Sequence, residues 1–199
     1  MKVTKNANGL AIIDPSVFKD ERGYFFESFN EKAFKEMVAD VDFVQDNESR
    51  SSYGVVRGLH FQKPPYAQAK LVRVVKGAVV DFAVDIRRGS PTYGTWNAVY
   101  LSAENHKQFF IPRGFAHGFI SLSDDTVFQY KCDNYYNKES EGALNFDSTF
   151  LNGPIPIGVW LLADSRIFSD KDRKNVLFDE WNDDTPFEYE GEDNTIDEQ

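Results

Sequence analysis

Residues Val72–Arg87 read VRVVKGAVVDFAVDIR, and this stretch decides the fold class. Two β-branched runs flank Lys76-Gly77, which predicts two strands joined as a hairpin. Short strands that repeat at such spacing are typical of a sandwich or barrel rather than of alternating strands and helices. Turn-forming residues separate four further strand-like runs: Trp96–Ser102, Gln108–Ile111, Gly118–Leu122 and Val127–Asp133.

Two short helices accompany the predicted strands. Glu31–Val38 follows Asn30, a residue type that caps helix starts. Ser169–Asn175 reads SDKDRKN and carries its acids before its bases, as the helix dipole favours. Asn145–Ile157 is rich in Gly, Pro and Asn and predicts a long loop.

Length and charge divide the chain into a body and a tail. The 199 residues are 41% hydrophobic, which fits one globular domain, predicted over residues 1–178. Ten of the 32 acidic residues lie in 179–199, where Lys and Arg are absent, so the other 22 balance the 22 basic residues. We expect 179–199 to be an acidic, flexible tail. This distribution argues against nucleic-acid binding.

Cysteine content and apolar runs indicate the compartment. Cys132 is the single cysteine, so no disulfide can form within the chain, as is usual in a reducing environment. No run approaches the roughly 18–20 apolar residues that cross a bilayer. The first residues, MKVTKNANGL, lack the apolar core of a signal peptide. These features predict a cytoplasmic protein that does not bind membranes.

Two of the three histidines lie in dense, otherwise hydrophobic segments. His60 lies in GVVRGLHFQKPPYAQAK, residues 54–70, and His117 lies in IPRGFAHGF, residues 111–119. A histidine titrates near neutral pH and can accept or donate a proton there. A lone histidine in such a strand is more often structural, so the pattern by itself leaves both roles open.

A metal site is one alternative for these histidines. Metal-binding cupin barrels typically offer two His one residue apart, then Glu, and a third His on a later strand. Pro112–His117 resembles the later segment, whereas Leu59–Gln62 supplies His60 alone. Since a divalent ion would find too few ligands, the sequence favours a metal-free site.

Acid–base chemistry is the other alternative. Tyr130 lies on a predicted strand and could act as an acid beside His60, although a buried tyrosine is as often structural. Asp172 could orient a histidine, as a carboxylate does in a catalytic dyad, or could be a helix-surface charge.

Cationic and amide side chains are candidates for binding an anion and a base, although each cation is by default a surface charge. Arg22 and Arg57 suit phosphate, and Lys70 could stabilise negative charge on oxygen. Gln45-Asp46-Asn47 offers amide groups for a base, and Tyr135 and Tyr136 offer rings for stacking. The residues alone therefore predict a metal-free β-barrel with a cationic, aromatic pocket and a His/Tyr pair.

Together these motifs resemble the dTDP-4-dehydrorhamnose 3,5-epimerase family. The similarity covers most of residues 20–172 in the order of the family. The matching segments are DERGYFFESF (20–29), FVQDNESRSS (43–52), VVRGLHFQ (55–62), QAKLVRVVKG (68–77), DFAVDIRRGSPTYGTW (81–96), LSAENHKQFFIPRGFAHGF (101–119), FQYKCDNYY (128–136) and SDKD (169–172).

The resemblance implies a fold, an assembly and a reaction. The fold is mainly β, a double-stranded β-helix or cupin-type jelly roll with a few short peripheral helices and no cofactor. The assembly is a homodimer with N-terminal strand exchange. The substrate is a dTDP-4-keto-6-deoxyhexose, whose ketone acidifies the protons at C3 and C5. Inversion of both carbons of dTDP-4-dehydro-6-deoxy-D-glucose through enolates gives dTDP-4-dehydro-L-rhamnose.

The resemblance also assigns roles to residues. His60 matches the base, Asp172 its dyad partner, Lys70 the group that stabilises the enolate, and Tyr130 the acid on the opposite face. Tyr136 matches the ring that stacks on thymine. Further substrate-contacting positions, some expected to reach in from the partner chain, are Arg22, Glu27, Gln45, Asp46, Asn47, Arg57, His117, Glu141 and Lys171.

Other functions remain open at this stage. A relative could invert one centre only or move the ketone between C3 and C4, and a non-catalytic sugar-nucleotide binder could keep the fold. The chain departs from the family pattern over Asp147–Phe168, which affects the register to Lys171 and Asp172, and in its acidic tail.

Overall fold

The computed structural model describes residues 1–146, 166–178, 181 and 185–191. Within these residues the chain forms thirteen short β-strands, two α-helices and one 3₁₀ helix at Lys138–Ser140. The strands are β1 Lys2–Lys5, β2 Ala11–Asp14, β3 Phe18–Asp20, β4 Gly23–Phe25, β5 Gln45–Ser51, β6 Val56–Gln62, β7 Lys70–Lys76, β8 Ala78–Asp85, β9 Trp96–Ser102, β10 Gln108–Ile111, β11 Phe115–Ser121, β12 Thr126–Cys132 and β13 Glu141–Ala143. The helices are α1 Glu31–Met37 and α2 Asp170–Arg173.

The strands form two main antiparallel sheets and a separate hairpin. The larger sheet has the order β1-β2-β10-β7-β12-β5, and the smaller has the order β13-β6-β11-β8-β9. β3 and β4 pair only with each other among the described strands. Apart from β1 and β2, neighbours in the larger sheet are not consecutive in sequence, as strands that cross between two sheets require. This architecture confirms the predicted jelly roll, mainly β with short peripheral helices.

The predicted hairpin over Val72–Arg87 is wrong, because β7 and β8 belong to different sheets. β7 pairs with β10 and β12, whereas β8 pairs with β9 and β11. Gly77 turns this corner with a φ of +79°, and a β-carbon there would overlap Ser123 Oγ. Both a hairpin and a corner place β-branched runs on either side of a glycine, so the local sequence does not distinguish them.

Alternate residues along the smaller sheet supply two different cores. On β8, Val79 and Ala83 belong to an inner cluster, whereas Phe82 joins an outer one. The inner cluster includes Phe128 from β12 of the larger sheet, so it lies between the sheets. Since side chains alternate along a strand, Asp81 also points inward from β8.

Helix α1 covers the outer face of the larger sheet. Asn30 caps it as predicted, because its side chain accepts a hydrogen bond from the Ala33 N–H at 3.0 Å. The helix ends at Met37, within one residue of the predicted end. Phe34 packs against Phe110 of β10 with ring centres 5.3 Å apart, which fixes the helix to the sheet.

Helix α2 is shorter than the predicted Ser169–Asn175. It spans four residues, and Ser169 caps it by accepting a hydrogen bond from the Asp172 N–H at 3.1 Å. From residue 147 onward, the predicted loop Asn145–Ile157 lies outside the described residues. No helix in the described part of the chain is long and apolar enough to span a membrane.

Part of the predicted acidic tail packs onto the domain. Trp181 and Phe187 belong to the outer core, with ring centres 5.5 and 6.1 Å from that of Phe61. The Phe187 carbonyl accepts a hydrogen bond from the Arg88 N–H at 2.8 Å. The packed chain therefore continues beyond residue 178, where the sequence placed the domain end. Residues 179–180, 182–184 and 192–199 lie outside the described part.

Candidate active site

Two adjoining clefts, of about 450 and 270 Å³, share His60, Lys70 and Tyr130 in their linings. We call them the larger and the smaller cleft. His60 lies on β6 of the smaller sheet, and Lys70 and Tyr130 lie on β7 and β12 of the larger sheet. The jelly roll thus brings together three side chains that the sequence singled out separately.

His60 is hydrogen-bonded to Asp172, the partner that the family resemblance assigns to it. His60 Nε2 lies 2.7 Å from Asp172 Oδ1, although the residues are 112 positions apart in the chain. The His60 side chain is 32% exposed and that of Asp172 only 7%, so the ring reaches the cleft and the carboxylate is covered. A neutral ring that donates its Nε2–H to the carboxylate keeps a lone pair on Nδ1, which can accept a proton.

Neighbouring side chains fix the Asp172 carboxylate. Ser169 Oγ donates to Asp172 Oδ2 at 2.9 Å, and Asn175 Nδ2 lies 3.5 Å from Oδ1. Burial acts to raise the pKa of Asp172, but the hydrogen bonds from His60 and Ser169 outweigh it and hold the pKa below its ordinary value. The carboxylate is thus ionised at neutral pH and can stabilise a protonated His60. Sequence reasoning overlooked Ser169, although a serine three residues before an acid at a helix start is a capping signal.

Lys70 presents an ammonium group without an ion-pair partner among the described residues. Its Nζ lies 5.8 Å from the ring centre of Tyr130. Although part of the side chain is accessible to solvent, burial lowers the pKa of Lys70, and the charges of Asp81 and Glu141 oppose this shift. Such a cation is available to stabilise negative charge on a ligand oxygen.

Tyr130 lines both clefts from the inner face of β12. Its hydroxyl has no hydrogen-bond partner within the described part of the chain. Burial raises the pKa of the Tyr130 phenol, and the positive charge of Arg57 opposes this only partly. The phenol is therefore protonated at neutral pH and able to donate a proton or hydrogen bond to a ligand.

His117 forms a second histidine–carboxylate pair, with a partner that sequence reasoning missed. Its Nε2 lies 3.1 and 3.0 Å from the two carboxylate oxygens of Asp81. Burial lowers the pKa of His117 and raises that of Asp81, and their mutual attraction opposes both shifts. The available signal was an acid inside the apolar run VVDFAV, because a buried carboxylate needs a partner. His117 lines the larger cleft. Its backbone lies opposite that of His60 in the pairing of β11 with β6.

Arg57 brings a guanidinium to the larger cleft. Its Nε donates to Ser51 Oγ and its Nη2 to the Arg50 carbonyl, both at 3.0 Å. Since a guanidinium has five N–H donors, others remain for an anion. The predicted phosphate-type residue is therefore positioned at the cleft and held by its neighbours.

The smaller cleft gathers Gln45, Asn47, Tyr136 and Glu141, all predicted site residues. Lys171, which lines the larger cleft, donates from Nζ to Glu141 Oε1 at 2.5 Å. The Tyr136 hydroxyl donates to Glu141 Oε2 at 3.3 Å. Glu141 thus links the two clefts, while the Tyr136 ring, 56% exposed, stays open to a ligand.

Three predicted site residues line neither cleft in the single chain. The Arg22 side chain is 85% exposed on the β3–β4 hairpin. Glu27 borders a separate cleft beside α1. Asp46 is 71% exposed and pairs with Lys131 at 2.9 Å, since strand alternation turns it away from the face of β5 that carries its neighbours.

Within the described part of the chain, the histidines do not form part of a metal-ligand cluster. Among the described residues, no group of three or more His, Cys, Asp or Glu side chains could hold a metal ion. His60 and His117 each use Nε2 for a carboxylate. Their arrangement suits proton transfer and hydrogen bonding.

Comparison with known proteins identifies relatives of the chain. Residues 4–180 match the family described as dTDP-4-dehydrorhamnose 3,5-epimerase. The Shigella flexneri enzyme of that name is 53% identical over 161 residues, which are 80% of this chain and 89% of that protein.

Solved structures agree with this match. A dTDP-4-dehydrorhamnose 3,5-epimerase from Elizabethkingia anophelis has a TM-score of 0.81 and 51% identity, covering 90% of this chain and 97% of its own. A dTDP-6-deoxy-D-glucose-3,5-epimerase from Legionella pneumophila, in complex with dTDP-4-keto-L-rhamnose, has a TM-score of 0.88 and 43% identity, covering 96% and 99%. The similarity thus extends over nearly the whole chain.

Proposed function

The chain belongs to the dTDP-4-dehydrorhamnose 3,5-epimerase family, and from this premise we propose how its residues carry out the reaction. It is an isomerase that inverts C3 and C5 of dTDP-4-dehydro-6-deoxy-D-glucose to give dTDP-4-dehydro-L-rhamnose. The ketone at C4 acidifies the protons on both neighbouring carbons. Each inversion therefore needs a base, a group that stabilises the enolate and an acid on the opposite face.

The observation that carries the proposal is the grouping of His60, Lys70 and Tyr130 around one cleft, with Asp172 bonded to His60. His60 removes the proton from the carbon beside the ketone, and Asp172 stabilises the resulting imidazolium. The Lys70 ammonium stabilises the enolate oxygen. Tyr130 then returns a proton to the opposite face, which inverts the centre.

The protonation states support these roles. The raised pKa of Tyr130 keeps the phenol protonated, as an acid requires, and the lowered pKa of Asp172 keeps its carboxylate ionised. Lys70 lacks an ion-pair partner among the described residues, so its charge is available to the enolate. The cleft that holds the His60 imidazole thus also holds an ionised carboxylate, an ammonium cation and a neutral phenol.

The nucleotide part of the substrate is proposed to occupy the remaining surface of the clefts. Arg57 binds the diphosphate, and the exposed Tyr136 ring stacks on thymine, beside the amides of Gln45 and Asn47. His117 and the Glu141–Lys171 pair complete the sugar and phosphate contacts.

A homodimer with N-terminal strand exchange is proposed to supply Arg22, Glu27 and Asp46. The β3–β4 hairpin exposes 66% of Phe18 and 71% of Phe25, an apolar surface that burial against a second chain would stabilise. Residues that line neither cleft in one chain would then contact the substrate of the other.

The single cysteine, Cys132, is buried and forms no disulfide, which supports a cytoplasmic location.

Proton exchange with solvent tests the reaction. In D₂O, NMR of dTDP-4-keto-6-deoxyglucose should show deuterium at both C3 and C5 and the L-rhamnose configuration in the product. Deuterium at one carbon only would instead indicate a single-centre epimerase, and exchange without the new configuration would exclude inversion.

The variant His60→Ala is the matched control. It should lose exchange at both carbons by about 10²–10⁴-fold, because general base catalysis contributes that much, while dTDP still binds. Undiminished turnover in this variant would contradict the assigned base. A wild-type protein that binds dTDP without any exchange would instead be a non-catalytic sugar-nucleotide binder.

A further inference from the structure

Gln62 is a buried residue on β6, 5% exposed, that the proposed mechanism does not use. Its Nε2 donates to the Tyr66 carbonyl at 2.9 Å and to the Tyr135 carbonyl at 3.1 Å. Its Oε1 accepts from the Asn137 N–H at 2.7 Å. We propose that Gln62 is a positioning residue that holds the Tyr136 ring in place for the nucleotide base. This rests on the proposed function, in which Tyr136 is the stacking ring.

The backbone of Tyr136 is held on both sides by side-chain amides. Gln62 binds the carbonyl of the preceding residue and the N–H of the following one. The Tyr136 N–H itself donates to Gln45 Oε1 at 3.0 Å. The peptide groups around Tyr136 are therefore tied to β5 and β6, the strands that line the smaller cleft.

Packing alone gives the Tyr136 ring little support. The side chain is 56% exposed, and its hydroxyl reaches Glu141 only at 3.3 Å. An exposed ring takes its position from the backbone that carries it, so the amide of Gln62, together with that of Gln45, positions the ring. A ring that is already ordered binds its ligand with a smaller entropic cost than a ring on a mobile segment.

Gln62 acts on two segments together. Through Tyr66 it binds the turn after β6, where Asn134 Nδ2 also donates to the Pro65 carbonyl at 3.1 Å. Removal of the amide leaves three backbone groups in partly buried surroundings without that partner. Because an unsatisfied buried polar group costs about 1–3 kcal/mol, both segments should rearrange and dTDP affinity should fall about tenfold.

The catalytic step should be nearly unaffected. All three partners of Gln62 are backbone groups, and none belongs to His60, Lys70 or Tyr130. A loss of nucleotide positioning raises KM and the dTDP dissociation constant, whereas kcat should stay within about threefold.

The test combines calorimetric titration with dTDP and steady-state kinetics. Gln62→Leu should weaken dTDP binding about tenfold and raise KM by a similar factor. Gln62→Glu keeps the side-chain volume, but its carboxylate faces two carbonyl oxygens. At pH 7.5 Gln62→Glu should lose at least as much dTDP affinity as Gln62→Leu. Near pH 5 the introduced carboxylate becomes protonated, so the affinity of this variant relative to that of the wild type should partly recover.

Asn105→Leu is the matched control. The Asn105 amide also fixes a loop through three backbone bonds, from the Ser102 and Lys107 N–H groups and to the Tyr100 carbonyl, at 3.1, 2.9 and 3.1 Å. It lines neither cleft. This variant should bind dTDP like the wild type. The control therefore distinguishes the positioning of Tyr136 from a general effect of removing an amide that fixes a loop.

A double-mutant cycle separates positioning from direct contact. In a Tyr136→Ala background, Gln62→Leu should change dTDP affinity less than twofold, because the ring it positions is absent. An unchanged tenfold loss in that background, or wild-type affinity of Gln62→Leu alone, would overturn the proposal. Near-ultraviolet circular dichroism of each variant reports its folding, and Gln62→Glu serves if the leucine variant is unfolded.

The same titration keeps this proposal apart from the proposed reaction. Wild-type protein that binds dTDP but shows no deuterium exchange refutes the reaction while the effect of Gln62 on binding stays measurable. Wild-type protein that does not bind dTDP overturns both.

Discussion

The substitution Lys70→Met should lower activity and raise stability at the same time. The Lys70 ammonium has no ion-pair partner among the described residues, and its Nζ lies 5.8 Å from the ring centre of Tyr130. Burial lowers the pKa of Lys70, which means that folding costs free energy while the residue is charged. Methionine has a similar length and carries no charge, so it removes that cost.

The sign of the pH dependence follows from the direction of the shift. A lysine whose pKa is lower in the folded state destabilises the protein at every pH below that pKa. The cost disappears as pH rises past the unfolded value of about 10.4. Lys70→Met should therefore unfold with a free energy about 0.5–2 kcal/mol higher at pH 7, and the gain should shrink towards pH 10.

The activity of the same variant should change in the opposite direction. A group that stabilises an oxyanion contributes roughly 10²–10³-fold to kcat, so Lys70→Met should lose about that factor. Affinity for dTDP alone should change little, since the enolate oxygen belongs to the sugar.

Urea unfolding at fixed protein concentration, followed by tryptophan fluorescence at several pH values, measures the stability. Lys76→Met is the control, because Lys76 lies on the same strand, is 64% exposed and pairs with Asp125 at 3.5 Å. Its substitution should change stability by no more than about 0.5 kcal/mol. A Lys70→Met variant that is less stable than wild type at pH 7, or equally stabilised at pH 7 and pH 10, would refute the reasoning.

Two further predictions concern the dyad and the corner. Asp172→Asn should lower kcat by about 10- to 150-fold, because it removes a charge-assisted hydrogen bond to His60. Its dTDP affinity, measured in a parallel titration, should be unchanged. A kcat equal to that of the wild type would contradict the dyad. Gly77→Ala should lower the urea-derived unfolding free energy by at least about 2 kcal/mol, since strain at positive φ adds to overlap with Ser123. Gly89→Ala, where φ is +78° but no atom lies within 4 Å of the new carbon, should cost less, and equal costs would exclude the overlap.

Local patterns were sufficient for six of the thirteen described strands, for both α-helices and for the residue types of the site. The strands Trp96–Ser102 and Gln108–Ile111 have the predicted bounds, and Asn30 caps the predicted helix. These features depend on side-chain alternation and capping, which act over a few residues. The residue types suited to proton transfer were also visible, and His60 and Tyr130 do share a cleft.

Longer-range features needed the folded chain. The predicted hairpin at Gly77 is a corner between sheets, because the partners of β7 and β8 lie far along the chain. Arg22 and Asp46 line neither cleft in one chain, since hairpin exposure and strand alternation turn them outward.

The sequence by itself determined the class of fold, the family and the residues able to do the chemistry, because each is written in local patterns and motifs. Only the tertiary structure decided which partners those residues have. It placed Asp81 against His117, and it gave Gln62 its three backbone contacts. The physical reason is that the pKa and position of a side chain depend on burial and on neighbours, often distant in sequence, that the folded chain brings together.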